Sequence, residues 1–221
     1  KGIEQNTLML PSQILQENVV NNFAVLSGPN FAAEIEQGLP AAADLAAKSA
    51  SDAKNIITQL SGHNMRLYAS SDVITACVAG AVKNVICIAS GICVSQNLGE
   101  NARAALVTRS LAEIGRLSKA MGGNPESLLG LCAVGDLMLS SFSLKSRNTH
   151  FGFMVGSGQN IGQLINTRTH AIEGYYTAQS VHNLAKKLSI EMPVCKSVYE
   201  VLYNHKNISQ AVNELISRPQ I

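Results

Sequence analysis

Apolar and polar positions change their rhythm once along this chain, near residue 70. Before that point short apolar runs alternate with amphipathic stretches. Residues 7–17 read as a short helix, Phe23–Leu26 as a strand entering the turn Ser27-Gly28-Pro29-Asn30, and Phe31–Gln37 as a helix closed by Gly38. Ala41–Ala47 is a second apolar run, only weakly strand-like because alanine is a poor strand former. Residues 51–61 fit a helix with Ser51 as its cap, and Met65–Ala69 alternates like a strand. Beyond residue 71 no strand signal recurs. Asp72–Asn97 is one long apolar helix and Asn101–Met121 a periodic one ending at Gly122-Gly123. Asn124-Pro125 opens a helix over Pro125–Cys132, a cap followed by proline in the first turn. Residues 146–155, 173–189, 193–203 and 207–217 continue as amphipathic helices. The boundary therefore falls near 70: an α/β segment over 1–70, then an all-helical unit over 71–221.

The long helix carries one charge at its centre, Lys83, with Asn84 beside it. A cation in apolar surroundings is costly unless paired or used. Its neighbours on the same helical face are small: Ala76, Ala79, Gly80, Cys87 and Ser90. That stripe leaves room for a ligand beside the ammonium. Two plainer readings compete. One is a lysine snorkelling to solvent; the other is a membrane span, since the length approaches the minimum of about 17 residues. A central lysine costs about 2.5–3.5 kcal/mol in a bilayer, and no basic flank sets an orientation, so no integral membrane segment is expected.

Composition narrows the field. The chain has 221 residues and a net charge of +2, enough for one large domain or two modest ones. Without a basic run, nucleic acid is not an expected partner. The five cysteines lack any metal-binding spacing, so they read as free thiols in a reducing cytoplasm and no metal is expected. No signal sequence is expected ahead of the first helix.

A second polar cluster spans Gly135-Asp136, Ser140 and Ser146-Arg147-Asn148. An arginine where a helix begins joins the free N–H groups there as a site for an anion such as phosphate. The plain alternative is a surface loop with ordinary capping. Gly156-Ser157-Gly158-Gln159-Asn160-Ile161-Gly162 has the wrong spacing for a dinucleotide fingerprint and follows no strand; it reads as a helix end and loop. His63, His150, His170, His182 and His205 are scattered, each a surface or satisfied side chain.

In order along the chain, Lys1-Gly2-Ile3-Glu4, Leu26–Ala32 (LSGPNFA), Gly80–Val85 (GAVKNV), Asn101–Leu106 (NARAAL), Gly135-Asp136-Leu137, Ser146-Arg147-Asn148 with Phe151-Gly152, and Glu173-Gly174 occur together. This set resembles the bacterial NAD(P)-dependent glycerol-3-phosphate dehydrogenase family over essentially the whole chain. The resemblance implies the tail of a Rossmann-type nucleotide-binding domain, without its opening G-x-G-x-x-G turn, followed by a larger all-helical catalytic domain. It implies hydride transfer between sn-glycerol 3-phosphate and dihydroxyacetone phosphate with NAD(P)H, supplying phospholipid synthesis; the apolar helices suggest a homodimer and the thiols a cytoplasmic one. Without the fingerprint these residues alone are expected to bind cofactor poorly.

Roles follow from the same resemblance. Lys83 is the implied general acid/base, with Asn84 and Asp136 orienting it or the substrate hydroxyls. Lys1, Gly28, Asn30, Ser140, Ser146, Arg147 and Asn148 are implied to gather substrate; Lys1, Ala32, Arg147, Ala171 and Glu173 are implied to meet the cofactor. Asn30 stands where the family usually has serine, Ser140 where threonine is common, and Cys77 where glutamate or glutamine is frequent. The first two keep a polar group, so contacts change without loss of function. Two rivals are a related hydroxy-acid dehydrogenase, which places asparagine one turn after its lysine where Cys87 stands here, and a non-enzymatic helical dimerisation module with a structural Lys83.

Overall fold

Three strands build one mixed sheet in the order β1-β2-β3. The computed structural model describes residues 1–18, 22–60, 62, 64–166 and 171–217. After the short helix α1 (Pro11–Glu17), β1 (Val25–Ser27) pairs antiparallel with β2 (Ala41–Ala46), Val25 opposite Ala46 and Ser27 opposite Asp44. β2 pairs parallel with β3 (Met65–Ser70), Ala41 opposite Met65 and Ala46 opposite Ser70. The two crossings are made by α2 (Ala32–Glu36) and α3 (Ala50–Leu60). α3 sinks Ala53 against Leu45 and Ala47, with Ile56, Ile57 and Leu67 around them. The alanine run forms a strand despite its low propensity because it lies between two partners. A side chain at Gly28 would bring its Cβ to 2.7 Å from the Ala43 Cα, so the turn after β1 lies flush on β2.

From residue 71 on, the described residues are helical, and α4 (Val73–Ser95) runs through their centre. Asp72 caps it, accepting from the Thr75 amide at 2.9 Å. Thr75 to Ile92 is buried throughout except at Lys83. By length and composition α4 could cross a membrane, but its apolar surface is covered by other helices of this chain. α5 (Gly99–Ala120), α6 (Asp136–Ser141), α7 (Arg147–Gly156), α9 (Glu173–Lys187) and α10 (Pro193–Tyr203) pack on it, with α8 (Ile161–Asn166) and α11 (Ile208–Ile216) outside them.

α7 comes closest. A Cβ on Gly152 would overlap the Ile88 carbonyl oxygen, and one on Gly91 would overlap that of Thr149. The two helices touch backbone to backbone, which only glycine permits at these positions.

Several local expectations change. α3 starts one residue earlier than expected and its cap is Ser49, whose hydroxyl accepts from the Asp52 amide at 3.0 Å, not Ser51. The helix expected over Pro125–Cys132 is a 3-10 turn (Pro125–Leu129) and a π-helical turn (Leu131–Gly135), broken at an extended Gly130. Asp44 of β2 causes the break: its carboxylate sits against Gly130 and accepts from the Cys132 amide at 2.7 Å. α6 follows where only a polar cluster was read. α8 emerges from the expected loop, started by Asn160 accepting from the Gln163 amide at 3.0 Å. His63 and His170 lie outside the described residues; His182 stacks on Tyr199 at 3.9 Å, a satisfied side chain as expected.

One buried carboxylate has no share in the candidate site. Glu113 of α5 is 1% exposed and accepts from the Val194 amide at 2.7 Å and the Cys195 amide at 3.1 Å, capping α10. Burial pushes its carboxyl above the ordinary 4.5, an effect those amides only partly offset. A raised carboxyl means the folded state holds the proton more tightly, so its contribution to stability declines as pH rises above about 4.5. Glu113→Gln removes that titration. In urea unfolding, the stability of the natural protein relative to the variant should therefore fall as pH rises above 4.5; a constant difference would refute the assignment.

Candidate active site

Lys83 turns inward and not out to solvent. Its side chain is 11% exposed and the ammonium donates to Asp136 Oδ1 at 2.6 Å and to the Ser140 hydroxyl at 2.9 Å. The snorkelling reading therefore fails. Asp136 and Ser140 stand one turn apart on α6, so both face α4, and the Ser140 hydroxyl itself donates to Asp136 Oδ1 at 3.0 Å. The other carboxylate oxygen accepts from the Lys1 ammonium at 2.5 Å. An ammonium has three N–H donors; the third on Lys83 has no acceptor among the described residues. Two cations share one carboxylate that is 2% exposed, which leaves the cluster net positive and suited to an anion.

The stripe of small residues does less than the sequence suggested. Gly80 is covered by the Lys1 stem, whose Cγ lies 3.4 Å from where a Cβ would stand. The Cys87 thiol lies 3.7 Å from the Ser141 hydroxyl, and the Ser90 hydroxyl donates to the Ser141 carbonyl at 2.6 Å. Most of the room beside the helix is taken by Lys1 and α6, because α6 folds back onto α4.

Asn84 organises the next level of α4. Its Nδ2 donates to Glu173 Oε2 at 3.0 Å, and its Oδ1 accepts from Asn148 Nδ2 at 3.0 Å. Asn148 Oδ1 in turn accepts from the Gly174 amide at 2.9 Å. The N-termini of α7 and α9 are thereby tied to the same point of α4. Gly174 is required there: a Cβ would come to 2.5 Å from the Asn84 carbonyl oxygen.

Ser146 caps α7, accepting from the Thr149 amide at 3.4 Å. Arg147 follows at the first helical position, exposed, with no hydrogen bond or ion pair to the described residues. Ala32 and Ala171 are exposed and offer backbone only. Asn30 is half-buried, and its Oδ1 has no hydrogen-bond partner. Gly28 faces β2 and not the lysine cluster. Of the expected site residues, then, Lys1, Lys83, Asp136 and Ser140 meet directly, and Asn84, Asn148 and Glu173 form an adjoining network. Gly28, Asn30, Ala32, Ser146, Arg147 and Ala171 make no hydrogen bond to the ammonium among the described residues.

The departure at Ser140 leaves intact the hydroxyl that both Lys83 and Asp136 use. Cys77 is buried beside Ser12, and burial raises its thiol, so that departure concerns core packing. Two residues given no role from the sequence matter here. Arg103 of α5 donates from Nε to Ser90 at 2.8 Å and from Nη2 to the Ser141 carbonyl at 2.5 Å, clamping the end of α6. Asp44 fixes the backbone just before Asp136. Arg103 left a signal, an arginine on the apolar side of a helix; Asp44 left only a carboxylate inside an alanine strand.

The family model described as NAD-dependent glycerol-3-phosphate dehydrogenase C-terminus matches residues 72–213, and the corresponding N-terminus matches residues 1–53. A Rhodospirillum rubrum protein named glycerol-3-phosphate dehydrogenase (NAD(P)+) is 42% identical over 220 residues, covering 99% of this chain and 63% of that protein. A Gluconobacter oxydans protein of the same name is 43% identical, covering 99% of this chain and 68% of its own length. The chain thus spans about two thirds of the relatives it matches. The crystal structure of a Coxiella burnetii glycerol-3-phosphate dehydrogenase superposes with a TM-score of 0.93 at 39% identity over 99% of this chain and 67% of that one. A Saccharomyces cerevisiae structure, at 22% identity and TM-score 0.83 over 96% of this chain and 65% of its own, shares the fold. The expected fold class holds: the tail of a Rossmann-type α/β unit, then a larger helical one.

Proposed function

This chain belongs to the NAD-dependent glycerol-3-phosphate dehydrogenase family, and we propose that the full-length protein interconverts sn-glycerol 3-phosphate and dihydroxyacetone phosphate with NAD(P)H. The observation that carries this reading is the Lys83 ammonium, largely enclosed on α4, pinned by Asp136 and Ser140, and left with one free donor.

In the direction of reduction Lys83 donates the proton that the carbonyl oxygen acquires, and in oxidation it takes the hydroxyl proton. Asp136, held by Lys1 from the other side, aims the ammonium. Asn84 keeps α7 and α9 at the distance the substrate needs. Arg147 and the opening N–H groups of α7, capped by Ser146 and braced by Asn148, hold the phosphate; Gly28 and Asn30 border the substrate.

The nicotinamide cofactor, when bound, supplies or accepts the hydride. The residues present suit it: the unpaired Asn30 Oδ1, exposed backbone at Ala32 and Ala171, the Glu173 carboxylate, and the Arg147 and Lys1 cations. In this proposal residues 1–70 are the last part of the dinucleotide-binding domain and 71–221 the catalytic domain. A cytoplasmic setting is supported by five free thiols. A homodimer is supported by the exposed apolar Leu129, Met138 and Leu144. Supply of glycerol phosphate to phospholipid synthesis belongs to the same proposal. The hydroxy-acid rival loses ground because Cys87, where it would carry asparagine, packs against Ser141.

The reading is tested by following NAD(P)H oxidation with dihydroxyacetone phosphate in the full-length protein; no turnover would sink it. Arg147→Ala should raise the KM for dihydroxyacetone phosphate about tenfold, as expected for one charged hydrogen bond, with an unchanged melting temperature because the side chain is exposed. Unaltered kinetics would leave Arg147 as an ordinary helix-start residue.

A further inference from the structure

We propose that Ser27 is a specificity residue whose hydroxyl hydrogen-bonds the free, unreacting hydroxyl of the three-carbon phosphate substrate. The inference rests on the reaction proposed above. Ser27 is 3% exposed, yet its hydroxyl has no hydrogen-bond partner, one of two such buried side-chain atoms among the described residues. The other, Asn30 Oδ1, belongs to the same turn. A buried hydroxyl without a partner is costly, and two in one turn beside the lysine cluster point to a polar ligand.

The location says which part of the ligand. Ser27 Oγ lies 3.5 Å from where a Cβ on Gly80 would stand, next to the Lys1 stem. Gly80, Lys83 and Asn84 share one face of α4, and Gly80 and Asn84 are about 6 Å apart along the helix. At the Asn84 end stand Asn148 and the start of α7, which hold the phosphate; Lys83 lies between and serves the reacting carbon. A three-carbon chain with its phosphate at one end and its central oxygen on Lys83 therefore presents its terminal hydroxyl at the Gly80 end, where Ser27 stands. A Cβ at position 80 would touch both the Ser27 hydroxyl and the Lys1 stem.

The test compares dihydroxyacetone phosphate with acetol phosphate, which lacks the free hydroxyl, in the full-length protein and its Ser27→Ala variant. The natural protein should favour dihydroxyacetone phosphate in kcat/KM, and Ser27→Ala should erase about tenfold of that preference, the worth of one hydrogen bond. Turnover of acetol phosphate should stay as it was. Without substrate the variant should melt at the same temperature or higher, because an unpaired buried hydroxyl has gone. A preference unchanged within twofold, or an equal fall for both substrates, would overturn the proposal while leaving the reaction standing. No turnover of dihydroxyacetone phosphate by the natural protein would instead overturn the parent reading, and this one with it.

Discussion

Lys83→Ala should cut kcat for dihydroxyacetone phosphate reduction about 10³-fold, within the range for losing a positioned general acid, while the protein stays folded. The second half of that expectation comes from the other partners of Asp136. Stripping a buried charge of all its partners costs about 3–5 kcal/mol, but here the carboxylate keeps Lys1 at 2.5 Å and Ser140 at 3.0 Å. Lys83→Arg should fail nearly as badly, since a planar guanidinium cannot reproduce the compact ammonium between Asp136 and Ser140. Steady-state assays of both variants, with thermal melts beside them, check this. Activity within a few-fold of the natural protein would remove the acid/base assignment, and a collapsed melt would show that Lys83 is structural.

Gly152→Ala should destabilise the protein by about 3 kcal/mol, the upper end for forcing atoms into a filled core. Helix propensity alone argues the opposite, since alanine is favoured over glycine by about 1 kcal/mol inside a helix. The crossing with α4 reverses the sign: the new Cβ would overlap the Ile88 carbonyl oxygen, and neither backbone can move without shifting its helix. The consequence reaches the candidate site. Moving α7 outward pulls Asn148 from Asn84 and displaces Ser146 and Arg147, so the variant's KM for the phosphorylated substrate should rise even where it remains folded. Denaturant unfolding and KM measured together make the check, and a variant as stable as the parent would mean the helices separate without cost.

Both expectations depend on distances that no local pattern contains. Lys1 and Asp136 are 135 positions apart, and Lys83 and Asp136 are 53. Periodicity near Lys83 showed a long buried helix with a cation in it, and the ordered set of short motifs named its company. It could not show that α6 existed, because six residues carry too little periodicity to stand out from a polar cluster. Nor could it show that Asp44 in a strand breaks the expected helix after Asn124, or that the small side chains beside Lys83 make room for Lys1 and α6 more than for a ligand.

What the sequence by itself determined were the features written within one turn or one strand. These are the change of rhythm near residue 70, most of the helical and extended segments, the cap at Asn124, and a costly lysine in an apolar stretch. Tertiary structure alone decided which groups answer that lysine, why glycine stands at 91, 152 and 174, and which buried hydroxyl is left unpaired. The reason is physical: periodicity and capping act between residues a few positions apart, whereas ion pairs, backbone contacts and unmet hydrogen bonds depend on where distant segments come to rest.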